Sequence, residues 1–284
     1  MGLKGEIAGS AGVYLTLRNG LTSHKGIKYM ELKSIKEQLY YSTVMIESAQ
    51  SSGTAFLLSR TLGKLKSIYL VTNKHVVKDQ TGCRVRFHKS ASFDPKSKAG
   101  DFVHHFTDQE WLDGWKFHDD DEVDLAVFNL TETMASLYDY GQYIFYRCLS
   151  IDMIATKEKA KEVIVMERIF FVGYPNAIRD EVNNLPIARS GYLATPLYSD
   201  FNGKEAFLFD ASVFEGSSGS PICIVNESFE TYTDTMGNTK LNGRCILVGV
   251  NAGVYTRNGD KQYLDIGYAW KAHKILEIIE QNQI

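Results

Sequence analysis

The chain has 284 residues, 44% of them hydrophobic and 23% charged, with a net charge of -3. This is an ordinary globular composition with enough apolar material for a sizeable core, so no disulfide or metal is needed to hold it together. The charges are interspersed, which excludes the clustered basic face of a nucleic-acid binder, and no apolar run is long enough to span a bilayer as a helix.

Residues 1–28 carry recurrent glycines and little periodicity, and they lack the sustained apolar stretch of a secretory signal. Met30, Leu32, Ile35, Leu39 and Tyr40 recur at helical spacing, which predicts one amphipathic helix over 29–41. From Ser42 the pattern changes to short β-type runs: 43–47, 54–58, 67–72, 83–87 and the buried run 124–130. Residues 88–122 read as polar with aromatic islands, and 131–162 as a connection. Strands resume at 163–166, 168–173, 187–193, 206–209, 221–225 and 245–250, with a polar hairpin loop over 226–244. Ala272, Ile275, Leu276, Ile278 and Ile279 predict a closing helix at about 269–280.

Four cysteines, Cys83, Cys148, Cys223 and Cys245, are widely spaced with no C-x-x-C pair. They predict no metal site and no cofactor, but free thiols in a reducing, cytoplasmic setting. Cys223 and Cys245 fall on neighbouring strands and are expected to remain unbonded.

The stretch that organises the chain is 209–221, FDASVFEGSSGSP. Its core, Gly216-Ser217-Ser218-Gly219, frames a hydroxyl between glycines, immediately before an apolar strand. By itself such a run is a turn signal. Two other stretches change its meaning. Thr72-Asn73-Lys74-His75-Val76-Val77 places a histidine straight after a strand, and Asp124-Leu125-Ala126-Val127-Phe128 places a carboxylate at the head of another. A serine hydroxyl needs an imidazole to take its proton as it attacks a carbonyl, and a carboxylate must hold that imidazole in the right tautomer. Each residue also has a plain structural reading: His75 as a core histidine, and Asp119, Asp120 or Asp121 as rivals of Asp124. Asp124 is preferred because only it abuts the buried strand.

In that order the three stretches resemble the His, Asp and Ser motifs of trypsin-like (chymotrypsin-fold) serine proteases, in particular the bacterial high-temperature-requirement proteases and their single-domain relatives. Ser52-Gly53-Thr54-Ala55-Phe56-Leu57, Gly173-Tyr174-Pro175 and Ser190-Gly191-Tyr192 add accessory motifs, and the resemblance covers about 42–280. It implies an all-β fold of two antiparallel six-stranded β-barrels, the first about 42–135 and the second about 160–265. An N-terminal extension (1–41) and a C-terminal helix flank them, and the site lies in the cleft between. It implies His75, Asp124 and Ser218 as the triad, the N–H groups of Gly216 and Ser218 as the oxyanion hole, and Ser212, Val213, Asn251, Ala252 and Gly253 as the substrate pocket.

The resemblance also implies a protein or peptide substrate. Ser217 stands where cleavage-activated members carry Asp, so no such activation is expected. With no acid at the pocket base, small or medium apolar side chains are expected over Lys or Arg. The chain ends soon after its last helix, so no peptide-binding PDZ domain is expected. A regulatory protein partner is one expectation, and a silent binding scaffold on the same fold is the rival reading of function.

Overall fold

The run Thr54–Leu58 is apolar on both faces, and the tertiary structure gives each face a different core. The computed structural model describes residues 34–90, 98–233, 239–256 and 263–284. The first lobe comprises β1 (Thr43–Glu47), β2 (Ser52–Leu62), β3 (Leu65–Thr72), β4 (Arg84–Ser90), β5 (Lys98–His105), β6 (Trp115–Phe117), β7 (Ala126–Asn129), β8 (Ile144–Phe145) and β9 (Leu149–Ser150). Ala55, Leu57, Leu70, Val85 and Phe87 point into this lobe. Their neighbours Phe56, Leu58, Tyr69 and Val71 point the other way, against Val172, Cys223, Val225 and Leu247 of the second lobe. Alternation along a strand therefore feeds two cores at once.

The second lobe is a closed six-stranded barrel, β10 (Arg168–Gly173), β11 (Ile187–Leu193), β12 (Ala206–Asp210), β15 (Tyr263–Lys271), β14 (Thr239–Thr256) and β13 (Pro221–Thr233), in that spatial order. The first lobe departs from the expected six-stranded barrel. It is a nine-stranded open sheet of order β5-β4-β1-β2-β3-β7-β6, with β8 added to β4 and β9 to β2. Among the described residues no ladder joins β5 to β6. Phe106, Trp111, Trp115 and Phe128 meet edge to face across that gap at 5.2–5.5 Å, so side chains fill it where backbone bonds do not.

Other expectations also change. The connection regions hold structure of their own. Helices α1 (Ile35–Ser42) and α2 (Lys74–Val77) are followed by α3 (Asp108–Gly114), α4 (Thr131–Asp139), α5 (Lys157–Lys161) and α6 (His273–Gln281). The α3 start is a reciprocal capping box between Thr107 and Glu110. The expected strand at 163–166 is absent: Ile164, Val165 and Met166 are exposed, Met166 has φ 58°, and the β10 ladder begins only at Arg168↔Tyr192. Much of the expected 226–244 loop is instead β13 and β14 backbone, paired as far as Thr233↔Thr239. Residues 269–271 end β15 rather than start a helix. The first part of the expected N-terminal helix lies outside the described residues, and α1 supplies its last two turns, capped by Ser34 and packed through buried Leu39.

An ion cluster ties α5 and α6 to the turn before β12. Glu205 accepts from Lys157 (2.5 Å), His273 (3.0 Å) and Lys274. Burial pushes the Glu205 carboxyl up, but hydrogen bonds from Lys157, Lys274 and His273 outweigh this and hold it at about 2. Burial keeps His273 below the usual histidine value despite Glu205. Both groups bind fewer protons folded than unfolded, so stability must fall on acidification, and for Glu205 the loss runs from its ordinary 4.5 down towards 2. The melting temperature is expected to drop across that window. Glu205→Gln should flatten the drop and cost about 1–2 kcal/mol at neutral pH once solvent screening is allowed for. An unchanged pH profile in the variant would contradict this.

Candidate active site

The β3–β7 ladder places the histidine and the aspartate together. Thr72 pairs with Ala126, so the residues just after β3 lie beside those just before β7. Asn73, buried at the turn, donates from Nδ2 to the Asp124 carbonyl at 2.8 Å. The single turn of α2 then brings His75 over the Asp124 carboxylate. Oδ1 accepts the His75 backbone N–H at 2.9 Å and Oδ2 lies 2.6 Å from Nδ1. A carboxylate can only accept, so Nδ1 carries the proton and Nε2 is left as a base. The rivals Asp119, Asp120 and Asp121 are exposed, and Asp121 pairs with Lys74 at 2.8 Å.

The segment carrying Asp124 is held from outside by α6. His118, nearly buried, meets Glu277 at 3.0 Å through Nε2 and accepts the Asp120 N–H on Nδ1 at 2.9 Å. Asn282 Nδ2 reaches the Phe117 carbonyl at 3.4 Å. Glu277→Ala is expected to loosen this segment and lose amide-exchange protection over residues 118–124. Glu277→Gln, which still offers an oxygen to His118, should recover most of the loss. Equal effects of the two variants would count against that role.

The Ser218 loop reaches this corner by packing on β2. Gly219 has φ 87°, a left-handed conformation, and a Cβ there would run into the Thr54 carbonyl. Thr54 N–H donates to the Ser218 carbonyl at 3.0 Å, and Thr72 Oγ1 donates to the Thr54 carbonyl at 2.6 Å. The loop thus abuts β2 and the end of β3, the strand that leads into the His75 turn. Among the described residues the Ser218 hydroxyl makes no hydrogen bond, and His75 bonds only to Asp124.

Three successive peptide planes of the loop are fixed by their carbonyls. Glu215 C=O accepts from Asn176 N–H at 2.6 Å, Gly216 C=O from Thr54 Oγ1 at 2.8 Å, and Ser217 C=O from Asn251 Nδ2 at 2.8 Å. In a trans peptide the N–H points opposite to the C=O. The first and third planes therefore turn the N–H groups of Gly216 and Ser218 away from the protein, where neither meets an acceptor among the described residues. The Ser217 N–H on the middle plane is taken by Phe214 C=O at 3.1 Å. Two free, fixed donors beside a hydroxyl suit an oxygen that gains negative charge.

The residues expected to form a substrate pocket divide. Ala252 and Gly253 line an open cleft of about 550 Å³ that also reaches Asp124. Asn251 is fully buried and braces the loop through its side chain and through Gly219 N–H to its carbonyl at 2.8 Å. Ser212 is exposed and Val213 buried, both away from that cleft. Thr54, Asn176 and Asn251 are the bracing residues that sequence reading missed. Their partners lie far along the chain, 162 residues away for Thr54 and 34 for Asn251, and a threonine or asparagine carries no local signal of such a partner. Ser217 is buried, and its hydroxyl has no partner among the described residues.

For a metal ion, Glu205, His273 and Glu277 lie close enough together, but Lys157 and Lys274 already occupy their carboxylates. The four cysteines are free. The hydrogen bond with the adjacent Cys245 thiol, then burial, push the Cys223 thiol up.

A search of curated protein sequences found no match. Among solved structures, the Rv3671c protease of M. tuberculosis in an inactive form is 17% identical, with a TM-score of 0.46 over 86% of this chain and 89% of that one. The scabies mite inactivated protease paralogue S-I1 is 13% identical, with a TM-score of 0.47 over 88% and 98%. The family model described as the trypsin-like peptidase domain matches residues 53–228, well over half the chain and the span that holds His75, Asp124 and Ser218, and the chain belongs to that family.

Proposed function

We propose that the chain is a serine endopeptidase. Ser218 attacks the peptide carbonyl, and His75 Nε2 takes its proton and later delivers it to the leaving amine. Asp124 holds His75 in the reactive tautomer and stabilises its charged form. The N–H groups of Gly216 and Ser218 receive the oxyanion. The observation that carries this reading is the two-point grip of Asp124 on His75, through backbone and ring, which leaves Nε2 as the free base. Catalytic hydrogen bonds often tighten only when substrate binds, which accommodates the unbonded Ser218.

For the side chain before the scissile bond, the proposal is a small or medium apolar group. The Arg189 guanidinium lies 4.7 Å over the Phe214 ring, so positive charge stands behind the Ser212–Phe214 wall and opposes Lys or Arg. The free thiols support a cytoplasmic setting, and no described helix is long and apolar enough to cross a membrane. Regulation by a protein partner belongs to the same proposal, because α1 packs through Leu39 on the core shared by the two lobes.

The unbonded Ser218 hydroxyl favours one rival, a silent scaffold on a peptidase fold. Incubating the protein with a denatured protein substrate separates the two. New peptide termini that disappear with Ser218→Ala support the enzyme. Identical digests from both proteins would leave the scaffold.

A further inference from the structure

The cleft beside Asp124 is walled by four aromatic rings in an edge-to-face chain. Phe201 meets Tyr255 at 6.2 Å, Tyr255 meets Tyr268 at 6.5 Å, and Tyr268 meets Trp270 at 5.7 Å, with interplanar angles of 84°, 66° and 87°. Trp270 is buried, and Tyr255 at the mouth is 39% exposed. The rings come from the turn before β12, from β14 and from β15, so three separate segments converge on one cavity.

We propose that this cavity selects a large aromatic side chain, Phe, Tyr or Trp, two to four residues before the scissile bond of the substrate. The proposal rests on the peptidase reading for its register. The ladder of β13 with β14 ends at Pro221↔Val250, so from Ala252 onwards β14 has only β15 as a partner among the described residues. An extended peptide can add to that edge. Asn251 is bonded to the Ser218 loop through Gly219 N–H and Ser220 C=O, and β14 then runs away from it towards Tyr255. A peptide lying antiparallel, with its reacting carbonyl at Gly216 and Ser218, sets its preceding residues against Gly253–Tyr255 and the cleft.

The chemistry favours an uncharged ring. Among the described lining residues the one carboxylate, Asp124, has both oxygens engaged by His75, and Lys204 at the rim is held by Glu122 at 3.2 Å, so a Lys or Arg would give up water there with no free carboxylate oxygen in exchange. An acidic side chain would meet the field of Asp124 and Glu122. Burial, then Tyr255, and only then that field push the Tyr268 phenol up to about 12. A ring entering the cleft extends the edge-to-face series and leaves water with most of its area.

The test uses Ser218→Ala protein and fluorescein-labelled hexapeptide pools, in each of which one position is fixed as Phe, Ala, Lys or Glu. Phe-fixed pools are expected to bind roughly ten- to a hundredfold tighter than Ala-fixed pools at one position. Phe201→Ala and Tyr255→Ala, which truncate rings at the rim rather than in the core, should each remove most of that ratio. Equal binding of Phe and Ala, tighter binding of Lys or Glu, or a ratio untouched by both variants would overturn the pocket. Because binding is read without catalysis, a peptide that shows the aromatic preference yet is not cleaved by the wild type would sink the peptidase reading alone.

Discussion

Replacing Asp124 by Asn is expected to lower kcat/KM by about four orders of magnitude while leaving the melting temperature nearly unchanged. The geometry dictates why. The carboxylate accepts twice, from the His75 backbone N–H and from Nδ1. An amide has one accepting oxygen. If that oxygen keeps the backbone N–H, the NH₂ group faces Nδ1 and turns it into an acceptor. The proton then resides on Nε2, and His75 cannot take one from Ser218. Shape and packing are retained, so stability is not the variable. Peptide hydrolysis and thermal unfolding measured on the same preparation check this. A loss of less than tenfold would mean that the Asp124–His75 pair has no part in turnover.

Gly216→Ala is expected to lower kcat/KM by a hundredfold or more with a modest loss of stability. Gly216 has φ 82°, and a Cβ there would stand 2.5 Å from the Tyr174 carbonyl. The left-handed conformation costs a residue other than glycine about 1–2 kcal/mol. Turning the Glu215–Gly216 peptide would relieve both problems, but it breaks the bond of Glu215 C=O to Asn176 N–H and swings the Gly216 N–H out of place. Removing one oxyanion donor costs roughly 10²–10³ in turnover. The matching measurement is kcat/KM together with an inhibitor constant for a peptide aldehyde, whose hemiacetal oxygen uses the same donors. Both should weaken together. Unchanged aldehyde binding would show that this N–H does not serve the oxyanion.

What was legible in the sequence follows from what is local. The histidine, aspartate and serine stretches each sit against an apolar strand, and their types and order were readable because the chemistry needs those types. The centres of β2, β3, β7 and β10, at 54–58, 68–71, 126–128 and 169–172, were readable because burial on both faces keeps them largely apolar. The closed second barrel was expected from the family resemblance and not from the strand runs, because β15, which closes it between β12 and β14, was not among them. The open first lobe was not readable, because what fills the gap between β5 and β6 is a cluster of rings from four places in the chain.

The 163–166 run failed for the opposite reason. Ile164, Val165 and Met166 have β-type side chains and no strand to pair with. The start of α3 did carry a signal, Thr107 with Glu110 three residues on, inside a stretch otherwise read as polar. In the site, Asn251 was expected to touch substrate and instead holds the Ser217 carbonyl. Only the fold reveals that, since the two residues are 34 apart in sequence. Thr54 and Asn176 orient the loop from even greater separations, and no spacing rule reaches them.

The most direct measurement is the intact mass of the protein after treatment with a fluorophosphonate, followed by peptide mapping. The reagent reports an activated serine and needs no knowledge of the substrate. A single adduct on the 209–221 peptide, located at Ser218 and absent from Ser218→Ala and strongly slowed in Asp124→Asn, is the expected result. An unmodified wild-type protein, or an adduct elsewhere, would contradict the assignment of Ser218, His75 and Asp124 as one catalytic unit.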